Sequence, residues 1–89
     1  MPSHDRLRAE LWMYRFALGP SDEREQALAE LARLVHAGVR SPKWDFSRIV
    51  ARAVELGHPD ADRLRTLADV VSDRVSADAL DEWPAWPRE

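Results

Sequence analysis

Apolar side chains recur at helical spacing in four stretches of this chain. In the first, from Ser3 to Leu18, Leu7, Leu11, Tyr14 and Leu18 stand at i, i+4, i+7 and i+11, the spacing of one buried helical face. Trp12, Met13 and Phe16 widen that face, and between Leu11 and Leu18 only Arg15 is polar. A helix with so much apolar perimeter is either central to the core or covered by another chain. The second stretch, Asp22 to Ala37, sets Leu28, Leu31 and Val35 on one stripe with Leu34 beside it, while Ala27, Ala29 and Ala32 allow close helix approach. The third, Ser41 to Leu56, carries Phe46, Ile49, Val50, Ala53, Val54 and Leu56. The fourth, Asp60 to Val75, carries Leu64, Leu67, Ala68, Val71 and Val75.

The same punctuation separates these stretches. Glycine occurs only at Gly19, Gly38 and Gly57, each 19 residues after the last. Glycine just past a helix takes the left-handed conformation that closes the last turn. Three residues past each glycine stands Asp22, Ser41 or Asp60, with Ser3 in the same place before the first stretch. Ser and Asp at such positions accept hydrogen bonds from the unpaired N–H groups of a first helical turn. Asp22 with Glu25 has the form of a capping box, and Ser41-Pro42 reads as a start because proline loses no hydrogen bond at the first helical position. Ser76 stands where a fourth glycine would fall.

The pattern predicts an all-α domain over residues 1–76, made of four antiparallel helices of similar length, about 15 residues or 22 Å each. They form either a bundle or two stacked helical hairpins, because short connections make sequential helices antiparallel neighbours. A shift of 38 residues superposes Leu18-Gly19-Pro20-Ser21-Asp22 on Leu56-Gly57-His58-Pro59-Asp60, as two hairpins would. Residues 77–89 differ. Asp78, Asp81 and Glu82 make this tail acidic, and Pro84 and Pro87 stop any helix within Trp83-Pro84-Ala85-Trp86-Pro87. The expected conformation there is extended.

Composition narrows the function. The chain has 89 residues, 45 % of them hydrophobic and 33 % charged, as expected of one globular domain. It has no cysteine, which excludes disulfides, thiolate metal sites and cysteine nucleophiles. No apolar run approaches the roughly 18 residues of a membrane span, and the polar N-terminus shows no signal peptide, so the expected location is cytoplasmic. Net charge is −3, whereas a generic nucleic-acid binder is usually basic.

Candidate chemistry is sparse. No phosphate-binding glycine loop, nucleophile elbow or zinc-binding helix motif is present. His58, Asp60 and Asp62 form the one metal-like cluster, but capping and turn roles account for them better. His36 suits the negative end of a helix dipole. Neither catalysis nor a cofactor is expected. The alternative to a protein-binding role is a helix-turn-helix DNA regulator, with Lys43, Arg48 and Arg52 on a basic third helix.

The aromatics carry the best functional hint. Four tryptophans in so short a chain is high usage, and tryptophan is enriched at binding hot spots. Trp12, Phe16, Trp44, Trp83 and Trp86, with Arg48 and Arg52, are therefore the candidate partner-binding residues. Trp83 and Trp86 would point the same way in a polyproline-type helix of about three residues per turn. They dock either on their own bundle or in a partner's groove, and the expectation is a docked Trp83 and a partly exposed Trp86. The resulting expectation is a small acidic helical interaction module (an adaptor, an accessory subunit or an immunity-type inhibitor). Its partner is a protein, a basic one being the natural complement, or a second copy paired through the first helix.

Overall fold

The computed structural model describes residues 4–88. Its regular structure is all helical, with no strand among the described residues. Helix α1 spans His4–Leu18, α2 Arg24–His36, α3 Ser47–Glu55 and α4 Ala61–Val71, with 3-10 turns at Ser21–Glu23 and Ala77–Leu80. The helices are unequal, at 15, 13, 9 and 11 residues, so the expectation of similar lengths fails at α3 and α4. Helix α1 is the hub: it packs most extensively on α2 and also meets α3 and α4.

Two of the three glycines close their helices as expected, and the other two helix ends depart from the pattern. Gly38 and Gly57 have φ of +86° and +79°. Around Gly38, its N–H donates to the Val35 carbonyl at 2.9 Å and the Val39 N–H to the Leu34 carbonyl at 3.0 Å. Gly57 and His58 repeat this pairing on Val54 and Ala53, so both helices close in the two-bond left-handed motif. The same motif ends α4, but its left-handed residue is Asp73, at φ +63°, and not Ser76. Short Asp side chains tolerate that region better than most. Gly19 obeys a different rule: a Cβ there would stand 2.5 Å from the Arg15 carbonyl oxygen, so crowding excludes a side chain.

The helix starts are corrected. Neither Asp22 nor Asp60 makes a side-chain cap: α2 and α4 begin without one. Ser3 lies outside the described residues. Ser41 does not start a helix at all. Its hydroxyl donates to Glu10 Oε1 on α1 at 2.7 Å, and its N–H donates to the Val71 carbonyl at the end of α4 at 2.6 Å. Those ties bury Ser41 and hold residues 41–46 as a loop. The start of α3 moves to Ser47, whose N–H is taken by Asp45 Oδ1 at 2.9 Å.

Helix α1 buries the face opposite to the one its longest apolar stripe predicts. Ala9, Met13, Phe16 and Ala17 are buried, and Leu7, Leu11 and Tyr14 face solvent. Both sets obey the same four-then-three spacing. The small Ala9 and Ala17 beside Met13 and Phe16 suit close approach to the alanines of α2, of which Ala27 and Ala32 are buried.

The C-terminal segment is not extended. Ser76 caps the 3-10 turn by accepting from the Asp78 N–H, and Leu80 is fully buried. The Trp83 N–H then bonds the Leu80 carbonyl and the Trp86 N–H bonds the Trp83 carbonyl, each at 3.0 Å. Pro84 thus occupies the second position of a tight turn, where its fixed φ favours bending. That turn stacks the two indoles at 6.1 Å with 20° between their planes. Trp83 is 4 % exposed and Trp86 2 %, so the expected partial exposure of Trp86 is overturned. Burying each large aromatic contributes about 2–3 kcal/mol, which drives the fold-back.

An outward apolar stripe on the first helix

The surface of α1 presents Leu7, Leu11 and Tyr14 at 62 %, 48 % and 55 % exposure. They stand one helical turn apart along one side, with half-buried Leu18 continuing the row. Arginines border the stripe on one flank: Arg8, 3.6 Å from the Asp5 carboxylate, and Arg15, whose guanidinium lies 5.1 Å from the centre of the half-buried Trp12 ring. Glu10 borders the other flank, where its Oε1 is held by Ser41.

Beneath α1 the structure builds an aromatic stack. Phe16 lies 6.1 Å from Trp83, Trp83 stacks on Trp86, and each end carries a histidine. His58 meets the Phe16 ring edge-on at 5.1 Å, and His36 lies 5.8 Å from Trp86. Hydrogen bonds fix the tautomer of the buried His58. A carbonyl only accepts, so Nε2 carries the proton donated to the Phe16 oxygen at 2.9 Å, and Nδ1 accepts from the Asp60 N–H at 3.0 Å. His36 donates through Nε2 to the Pro87 carbonyl at 2.8 Å, pinning the end of the chain to α2. The metal-like trio of the sequence is therefore partly committed elsewhere: both nitrogens of His58 are engaged.

The residues marked in the sequence scatter accordingly. Phe16, Trp83 and Trp86 come together, but inside the core. Trp12 is half-buried on α1, and Trp44 is about half exposed on the loop before α3. Arg48 and Arg52 are exposed on α3, with Arg52 held by Glu55 at 2.9 Å. Beside Val75, past the end of α4, the residues that the sequence pattern sets on a buried face but the structure turns outward are Leu7, Leu11 and Tyr14 on α1. The available signal was the second, equally spaced set Ala9, Met13 and Phe16 on the same helix.

A hollow of about 340 Å³ lies between the start of α3 and the end of α4. Phe46, Val50 and Ala68 line it, and charges of both signs, Asp45 and Asp69 with Arg65 and Arg74, share its wall. The Ser47 N–H and hydroxyl hold the Asp45 carboxyl below the usual carboxylate range, with Arg74 and Arg48 adding to the effect against slight desolvation. That is the chemistry of a helix start. Among the described residues, no three histidine or carboxylate side chains are placed to share a metal ion. No described helix is long and apolar enough to cross a membrane. No protein-family model, curated protein or solved structure matches this chain.

Proposed function

We propose that this chain is a small, non-catalytic protein-interaction module, of the adaptor, accessory-subunit or immunity-type inhibitor kind, that docks a protein partner through the outer face of α1. One observation carries the reading: a helix that is the packing hub of the domain buries Ala9, Met13, Phe16 and Ala17 on one face and keeps three large apolar side chains in solvent on the other. Contiguous exposed apolar residues on a small domain mark contact surfaces. The aromatic stack beneath the stripe supports it as a rigid base, which lowers the ordering cost of docking. The same reading takes α1 with α2 and α3 with α4 as antiparallel hairpins. Asp5 and Arg6, at the start of α1, lie beside Ala37 and Gly38, past the end of α2.

The test is capture of partner proteins from a lysate on the immobilised chain, compared with Leu11→Arg. The substitution lies on the exposed side of α1, so folding is expected to survive it. Bound protein should be lost with Leu11→Arg and retained with an arginine substitution at the exposed Ala51 on α3. Capture that is indifferent to Leu11→Arg would remove α1 as the docking face.

A further inference from the structure

The chemistry on the two flanks of the α1 stripe identifies an occupant for it. We infer that the stripe pairs with the same stripe of a second copy of this chain, the two α1 helices running parallel and in register about a two-fold axis. This rests on the docking role proposed for α1 and names its partner.

The argument starts from spacing. Leu7, Leu11, Tyr14 and Leu18 follow one another by four, three and four residues, which is the alternation of d and a positions in a two-stranded coiled coil. That alternation puts Arg8 and Arg15 at e positions and Glu10 at a g position. In a parallel pair the g side of one helix meets the e side of the other, with the contact falling five residues further along. Glu10 of one copy then meets Arg15 of the other, and the two-fold axis makes that contact twice. Glu10 is already half-buried and aimed by the Ser41 hydroxyl on one oxygen, leaving the second free to accept. Arg15 is likewise steadied over the Trp12 ring.

The opposite orientation fails on the same residues. An antiparallel pair sets e against e and g against g. Arg8 would then face Arg15, and Glu10 would face its own counterpart or Ala17. Like charges directly opposed disfavour pairing, so the flanks select the parallel arrangement. The interface is small. Three half-exposed side chains with their charged borders fall well short of the roughly 800 Å² per partner of a standard interface. Association is accordingly weak, with half-dimerisation at about 100 µM.

The experiment uses the purified chain. Sedimentation equilibrium from about 10 µM to about 1 mM should show the mass rising towards a dimer. The chain has no cysteine, so Leu7→Cys gives one clean probe. In the parallel pair the two positions face each other and mild oxidation traps a disulfide dimer. In an antiparallel pair centred on Leu11 they stand about 12 Å apart along the axis, beyond the roughly 7 Å Cα reach of a disulfide. Glu10→Arg and Arg15→Glu should each weaken association about tenfold, and the double swap should restore it. Circular dichroism at about 5 µM, where every variant is monomeric, separates lost folding from lost pairing. If Glu10→Arg does not fold, the Leu7→Cys trap still decides. A monomer throughout, a dimer that Leu7→Cys does not trap, or a folded double swap that stays weakened would overturn the inference. A monomer that nevertheless captures another protein through Leu11 would leave the docking face standing with a different partner. A monomer that captures nothing would remove both readings.

Discussion

The inner and outer faces of α1 carry apolar side chains at the same spacing and meet opposite fates. Met13 is 0 % exposed and Phe16 2 %, whereas Leu7 and Leu11, on the same 15-residue helix, keep 62 % and 48 % of their surface in water. Hydrophobicity does not separate the two faces. What separates them is shape. The inner face sets large Met13 and Phe16 between small Ala9 and Ala17, so neighbouring helices and the folded-back tail can interdigitate with it. The outer face is a row of large side chains with no small residue between them and charges on both borders. Close packing rewards the first arrangement in a domain core; the second suits a seam between helices of different chains.

The comparison breaks most readily by truncating one residue on each face. Phe16→Ala should cost about 3–5 kcal/mol, because it opens a cavity against Trp83 and His58. Leu11→Ala should stay within about 0.5 kcal/mol at low protein concentration, where only the folded monomer is measured. Urea unfolding followed by circular dichroism reads both. A cost at Leu11 comparable with that at Phe16 would mean that the stripe is already covered within the monomer.

A smaller effect sharpens how the inner face is held. His58→Phe keeps an aromatic ring against Phe16 but removes both hydrogen bonds, leaving the Phe16 carbonyl and the Asp60 N–H unpaired in a buried setting. The expected cost is about 1–3 kcal/mol. His36→Phe, at the exposed end of the stack, should cost less than about 1 kcal/mol. Equal effects in urea unfolding would show that ring packing, and not the fixed tautomer, secures His58.

The helix count, the all-α class and the left-handed closures at Gly38 and Gly57 were legible in the sequence, because glycine, proline and helical periodicity act locally. The misses come from long-range contacts. Ser41 had the local chemistry of a cap, but a carboxylate 31 residues away in α1 and a carbonyl at the end of α4 claimed it. Pro84 spoke correctly against helix, yet whether the segment extends or turns depended on the apolar surface available to Trp83 and Trp86. The left-handed end of α4 fell on Asp73 because an aspartate can stand in for glycine without announcing it. On α1 two stripes satisfied one periodicity, and only the shape of the rest of the domain could choose between them. The apolar perimeter of the first helix marks it for pairing with another chain, but the pattern alone sets Leu7, Leu11 and Tyr14 on its buried face.

The smallest expected effect lies on neither face and calibrates both. Asp45 is exposed at the start of α3, where the Ser47 N–H and hydroxyl favour its ionised form and lower its pKa from 3.8. A carboxyl whose pKa is depressed in the folded state stabilises the fold above the unfolded value, and that contribution disappears as pH falls through the lowered folded value. Asp45→Asn keeps an acceptor for the Ser47 N–H and removes only the charge. The urea midpoint of Asp45→Asn should therefore lie slightly below that of the unsubstituted chain near pH 7, and the gap should close as pH falls through the lowered folded value. Leu11→Ala changes no ionisable group, and its small difference should persist across the same range wherever the chain stays folded. A gap at Asp45→Asn that widens in acid would mean that the carboxyl favours its protonated form in the fold, and that α3 starts by a different contact.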